Sequence, residues 1–160
     1  MELKFQGTTS NSDNQRIANL VNGPYFPFAL PQRSVQDYGA ALDDVFLPAV
    51  GRAYEREFPN RKFYNHRRGT LAGQVSVMDS SRHDRFLAAL SKGPVFGVYF
   101  PALQGFSIPA AEEQMGSLPD QFLLASVLDT AAVEMMYPGE VARNYHTPGL
   151  ECAVVLVQDS

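Results

Sequence analysis

Three prolines fall within one eight-residue stretch, Pro24 to Pro31, whose other members are mostly aromatic or aliphatic: Gly23-Pro24-Tyr25-Phe26-Pro27-Phe28-Ala29-Leu30-Pro31. Each proline removes a backbone donor and fixes φ, so neither a helix nor a central strand is expected to run through the segment. It reads as an extended, aromatic-rich connector. Tyr25, Phe26, Phe28 and Leu30 are too apolar for a solvated loop, which places the connector across the core or in the wall of a pocket.

Hydrophobic periodicity assigns the remaining elements. Residues 1–6 suit a short edge strand, and residues 13–21 a first helix with Ser12 or Asp13 as N-cap and Asn22-Gly23 as its stop. A longer amphipathic helix is expected from Ser34 to about Glu57, with Asp37 completing an imperfect capping box. Leu42, Val45, Phe46, Ala49, Val50, Ala53 and Tyr54 share its apolar face. Pro48 lies inside that helix and predicts a kink or a break into two.

Arg61–His66 and Thr70–Val77 read as the two strands of a hairpin turning at Arg67-Arg68-Gly69. Asp79-Ser80-Ser81 then supplies an N-cap for a helix with Phe86, Leu87 and Leu90 on one stripe and Lys92-Gly93-Pro94 as its end. The apolar runs Val95–Phe100 and Leu150–Val157 suit strands covered on both faces. Further helices are expected at 109–115 and 119–136, each with a proline in its first turn.

This order predicts an α+β fold, with mixed α/β as the neighbouring class: one sheet of three to five strands, mixed or partly parallel, under four to five helices. With 160 residues, 45% of them apolar, the chain can bury one continuous core and has little room for a second, so residues 1–160 read as a single globular domain. Seventeen acidic against 13 basic residues give a net charge of −4, which disfavours general nucleic-acid or anionic-membrane binding while leaving room for a local basic patch. No apolar run approaches the ~18 residues of a membrane span, and the amino-terminal residues lack a secretory pattern, so a cytoplasmic location is expected. The single cysteine, Cys152, lies in an apolar run and reads as a buried thiol.

Three groups of residues carry candidate chemistry. Ser80, Ser81, Arg82 and His83 stand where a strand hands over to a helix, a place whose free N–H groups and positive dipole end favour an anion. Arg67 and Arg68, with His66, Arg61 and Lys62 close in sequence, could add guanidinium forks to that site. The plainer alternatives are a helix cap flanked by solvated charges, and a basic turn protecting a sheet edge. The aromatic set Tyr25, Phe26, Phe28, Tyr99, Phe100 and Phe106 either lines an apolar pocket or interface, or fills core.

Asp129 and Glu134 interrupt an apolar helix, which suits a narrow polar stripe facing water or, alternatively, an active-site acid. Composition allows a triad from Ser80 or Ser81 with His66, His83 or His146 and Asp129, yet no Gly-x-Ser-x-Gly elbow occurs. The three histidines lack ligand spacing, so no metal or cofactor is assigned. The sequence therefore points to a noncatalytic small-ligand-binding or protein-interaction domain, with a protein or a small anionic ligand as partner. The alternative is a small hydrolase or transferase acting on a phosphate- or carboxylate-bearing substrate.

Overall fold

The computed structural model describes residues 23–77, 79–101, 107–141 and 155–157. The expectations for residues 1–6 and 13–21, and those for Phe106, His146 and Cys152, lie outside the described residues. The elements are β1 (Phe26–Leu30), α1 (Tyr38–Ala41), a π-helical turn (Leu42–Phe46), α2 (Leu47–Glu57), β2 (Val75–Val77), α3 (Arg82–Lys92), β3 (Val95–Tyr99), α4 (Ile108–Gly116), α5 (Val127–Met136), α6 (Pro138–Val141) and β4 (Val155–Val157).

The architecture is α+β, but the described strands do not form one sheet of three to five. They form two antiparallel ladders of two strands each, β1 with β3 and β2 with β4. β1 runs through Pro27, so the segment expected to be an extended connector is a strand, though not a central one. A two-stranded ladder leaves each strand one unpaired edge, and proline is tolerated where its missing N–H falls on such an edge.

Phe26, Phe28 and Leu30 of β1 turn inward and face Tyr99, Gly97 and Val95 of β3 across the ladder. Gly97 is required there, because a Cβ at that position would stand 2.5 Å from the Phe28 ring. The opposite face carries Pro27, Ala29, Phe96 and Val98, and Phe96 is 76% exposed. The apolar continuity of 95–100 thus reflects one covered face and one open apolar face, not a strand buried on both.

The helix expected from Ser34 begins at Tyr38, because Asp37 is the residue that caps it: its carboxylate accepts the Ala40 N–H at 2.8 Å. Before Pro48 the helical stretch is divided into α1 and α2 by the π-helical turn. The turn before it widens to π geometry, with the Leu47 N–H donating to the Leu42 carbonyl five residues back. That widening accommodates a proline ring that would otherwise press on the carbonyl four residues earlier.

The helix expected over 119–136 is shorter. Ser126 and Asp129 close a capping box that starts α5 at Val127, and the half-buried residues 122–125 run without helical structure before it. Leu128 to Val133 are all buried, and α5 touches α2, β1, the π-helical turn and α6, which makes it the central element of the core. Leu30, Leu42, Phe46, Val50, Phe86 and Leu90 complete that core. The small side chains of Ala131 and Ala132 let neighbouring elements approach α5 closely.

Candidate functional site

The hairpin expected over 61–77 is absent from the structure; only Val75–Val77 is a strand, and it pairs with β4. Residues 61–74 instead form a loop of turns laid along α1, the π-helical turn and α2. Three carboxylates, those of Asp37, Asp43 and Glu55, hold its backbone. Asp43 accepts the N–H groups of Gly69 at 3.0 Å and Leu71 at 2.9 Å, and Asp37, already capping α1, accepts the Gly73 N–H at 2.9 Å. Ionised acceptors make such bonds stronger than neutral ones.

Two helix glycines set how closely the loop can lie. A Cβ on Gly39 would overlap the Leu71 carbonyl and stand 2.9 Å from the Ala72 nitrogen, while a Cβ on Gly51 would stand 2.9 Å from the Phe63 ring. Phe63 is further tied to α2 by its N–H, which donates to the Glu55 carboxylate at 3.3 Å. At the far end of the loop Asn65 accepts the Arg67 N–H on its side chain at 2.9 Å, and Thr70 donates its hydroxyl to the Arg67 carbonyl at 2.8 Å. The tip is therefore fixed on both flanks, and Gly69 and Gly73 take the left-handed φ values, 73° and 68°, that its turns require.

This tip displays Tyr64, which is 73% exposed, followed by the exposed side chains of His66, Arg67 and Arg68. Lys62 pairs with Glu55 at 3.8 Å and Arg61 lies over the Phe58 ring at 4.8 Å. Among the described residues, no hydrogen bond or ion pair joins Arg67 or Arg68 to the start of α3.

At that start Ser81 is the N-cap, its hydroxyl accepting the Asp84 N–H at 3.0 Å, and exposed Ser80 adopts a left-handed φ of 58°. Arg82 is turned to the protein itself. One guanidinium nitrogen donates to the carbonyls of Met115 and Phe122, the other to the Leu118 carbonyl, and Asp120 lies 3.2 Å away. It thereby binds the 115–122 segment to α3.

His83, one residue on, is 1% exposed, packed edge-on to Tyr38 and beside Phe86. Neither ring nitrogen finds a hydrogen-bond partner among the described residues. Burial therefore favours the neutral ring and lowers its pKa to about 4, with Asp84 pulling weakly the other way.

Asp129 is buried rather than facing water in a polar stripe. One oxygen accepts from the Ser126 N–H and hydroxyl, both at 2.7 Å, and from the Thr130 N–H at 3.0 Å. Burial still pushes its carboxyl up to about 6, against those donated bonds, and burial raises half-buried Glu134 as well.

Of the aromatic set, Phe28 is buried, Phe26 packs against Tyr137 at 5.2 Å, Tyr99 faces Phe26 across the ladder, and Phe100 lies 6.4 Å from Phe122. Tyr25, one residue before β1, is 59% exposed. Phe96 was missed by sequence reasoning, because an aromatic inside a continuous apolar run carries no sign of which face is open. Asp37, Asp43, Gly39 and Gly51 were missed as a set. A signal existed in the two glycines, which weaken a helix interior and so call for a close neighbour.

Together these features give an α+β architecture with two exposed elements among the described residues, an apolar two-stranded ribbon face and a fixed basic loop. Among the described residues no group of three His, Cys, Asp or Glu side chains could hold a metal ion, and no helix is long and apolar enough to cross a membrane. Neither a family model, nor a curated protein, nor a solved structure matches the chain.

Proposed function

We propose that this chain is a noncatalytic interaction domain that docks a protein partner on the outer face of the β1–β3 ribbon. The observation that carries this reading is the open side of the ladder, where Phe96 stands 76% exposed among Pro27, Ala29 and Val98. A rigid aromatic side chain with apolar neighbours is the composition of an interface anchor. Exposed Tyr25 adjoins the ribbon at the start of β1 and adds a second aromatic with a polar tip. The hydrolase or transferase reading has less support, since Arg82 is occupied by three carbonyls and His83 is sealed in the core.

The test is a complex formed in extract of the native host, assayed with the wild type and with Phe96→Asp at matched thermal stability. Burying a phenylalanine contributes about 1.5–3 kcal/mol, so the substitution should weaken a specific complex by about 10- to 100-fold. A complex indifferent to Phe96→Asp, or wild-type protein that stays monomeric and unbound, refutes the reading.

A further inference from the structure

We propose that the loop tip from Tyr64 to Arg68 is a binding surface for single-stranded nucleic acid. This lies on a different segment from the ribbon face and does not depend on it.

No Asp or Glu occurs between Glu57 and Asp79, and that stretch holds four of the chain's 13 Lys and Arg residues together with His66. Among the described residues the carboxylates bonded to the loop face its backbone: Asp37 and Asp43 keep their charge while accepting its N–H groups, and Glu55 accepts the Phe63 N–H and pairs with Lys62. Among the described residues the side chains of His66, Arg67 and Arg68 enter no hydrogen bond or ion pair, so their donors face outward unspent. An acidic chain of net charge −4 thus concentrates available cations on one short arc.

Tyr64 adds an aromatic surface to these cations. Its ring is 73% exposed two to four residues from those cations, and an exposed aromatic beside guanidinium groups is the pairing that takes a base by stacking and its phosphates by charge-assisted hydrogen bonds. A phosphoserine or phosphothreonine peptide would use the cations but has no ring to stack on Tyr64, and a phosphotyrosine peptide offers a single ring where a strand offers a base at every phosphate. Duplex fits poorly as well: its stacked bases are closed to Tyr64, and its dense charge meets a net repulsive protein.

The tip is held by three carboxylate bonds, the Asn65 turn and two glycine contacts, so little loop entropy is lost when a ligand docks.

The experiment is an anisotropy titration of the full chain with a short labelled oligouridylate and an oligothymidylate. Saturable binding is expected at low salt, with log affinity falling against log salt at a slope of about −1.4 if two phosphates are contacted. Tyr64→Ala should weaken binding by about 5- to 100-fold, while Tyr64→Phe keeps it. Arg67→Gln with Arg68→Gln should weaken it and flatten the slope towards zero, and Gly116→Ala, where nothing lies within 4 Å of a new Cβ, should change nothing. These side chains are exposed, and unchanged melting of each variant confirms that folding is intact. The proposal is overturned by absence of saturable binding, by indifference to the Tyr64→Ala or double-arginine change, or by tighter binding of duplex or of a phosphotyrosine peptide than of the single strand.

Discussion

Replacing Gly39 by alanine tests whether the 61–74 loop is held as tightly as its contacts imply. The new Cβ would overlap the Leu71 carbonyl with the Ala72 nitrogen at 2.9 Å, so the loop must retreat by about 1–2 Å to restore ordinary contacts of about 3.5 Å. Such a shift breaks the 2.9 Å bond from the part-buried Leu71 N–H to Asp43 and strains the 2.9 Å bond from Gly73 to Asp37. Loss of the first costs about 1.5–3 kcal/mol, and residual overpacking about 1–3 kcal/mol. Water replaces the exposed Gly73 bond, and alanine returns about 1 kcal/mol of helix propensity in α1. The net expectation is a destabilisation of about 2–4 kcal/mol, which lowers the melting temperature by about 5–15 °C for a chain of this size. Urea denaturation and amide exchange at Leu71 measure it. Gly116→Ala is the control, since nothing lies within 4 Å of a Cβ there, and it should be neutral or slightly stabilising. A Gly39→Ala protein as stable as the wild type, with Leu71 exchange unchanged, would refute the claim that the loop rests on α1.

Acid stability has two opposed contributions. Burial lowers His83 from 6.5 to about 4, so its contribution, on the order of 3 kcal/mol, is present above pH 6.5 and lost as pH falls through about 4. Asp129, raised from 3.8 to about 6, contributes stability below pH 3.8 that is lost as pH rises through about 6, and Glu134 has the same sign. His83→Phe should therefore leave a protein that weakens as pH rises across this window, and Asp129→Asn one that weakens as it falls; urea unfolding with the same pH slope in both variants contradicts the assignment. Arg82→Lys should cost about 1–3 kcal/mol, because an ammonium lacks the planar fork that reaches three carbonyls, whereas loss of its exposed partner in Asp120→Asn should cost less than about 1 kcal/mol. Chemical denaturation ranks the two, and the reverse order would show that the ion pair rather than the carbonyl set holds the 115–122 segment.

The α+β class, α3 with its Ser-rich start, the short helix after residue 107 and the proline effect at Pro48 were legible in the sequence, because each is written in a local pattern. Ser81 caps α3 and Lys92-Gly93 ends it, as spacing and turn residues imply. The strand pairing was not legible. β1 contains a proline that argues only against a central strand and says nothing of an edge pairing, and the apolar run of β3 looks the same whether one face is covered or two. Residues 61–66 alternate well enough for a strand, yet Asp37 and Asp43 capture the following backbone N–H groups before a hairpin ladder can use them. Competition between carboxylates and strands for the same donors depends on tertiary neighbours, and no window of sequence contains it.

The two arginine clusters, alike in composition, differ in the backbone groups around them. Arg82 begins a helix whose neighbourhood includes the carbonyls of Met115, Leu118 and Phe122 at and beyond the end of α4, where Met115 also accepts the Leu118 N–H at 3.1 Å. A guanidinium supplies several donors at once, so it settles there and becomes structural. Arg67 and Arg68 occupy a turn whose carbonyl and amide groups are already served by Asn65, Thr70 and Asp43. With the local acceptors taken, their donors remain for a ligand. Whether an arginine binds its own chain or a foreign phosphate is thus decided by the backbone groups left over around it, and here that difference falls between the start of α3 and the tip of the 61–74 loop.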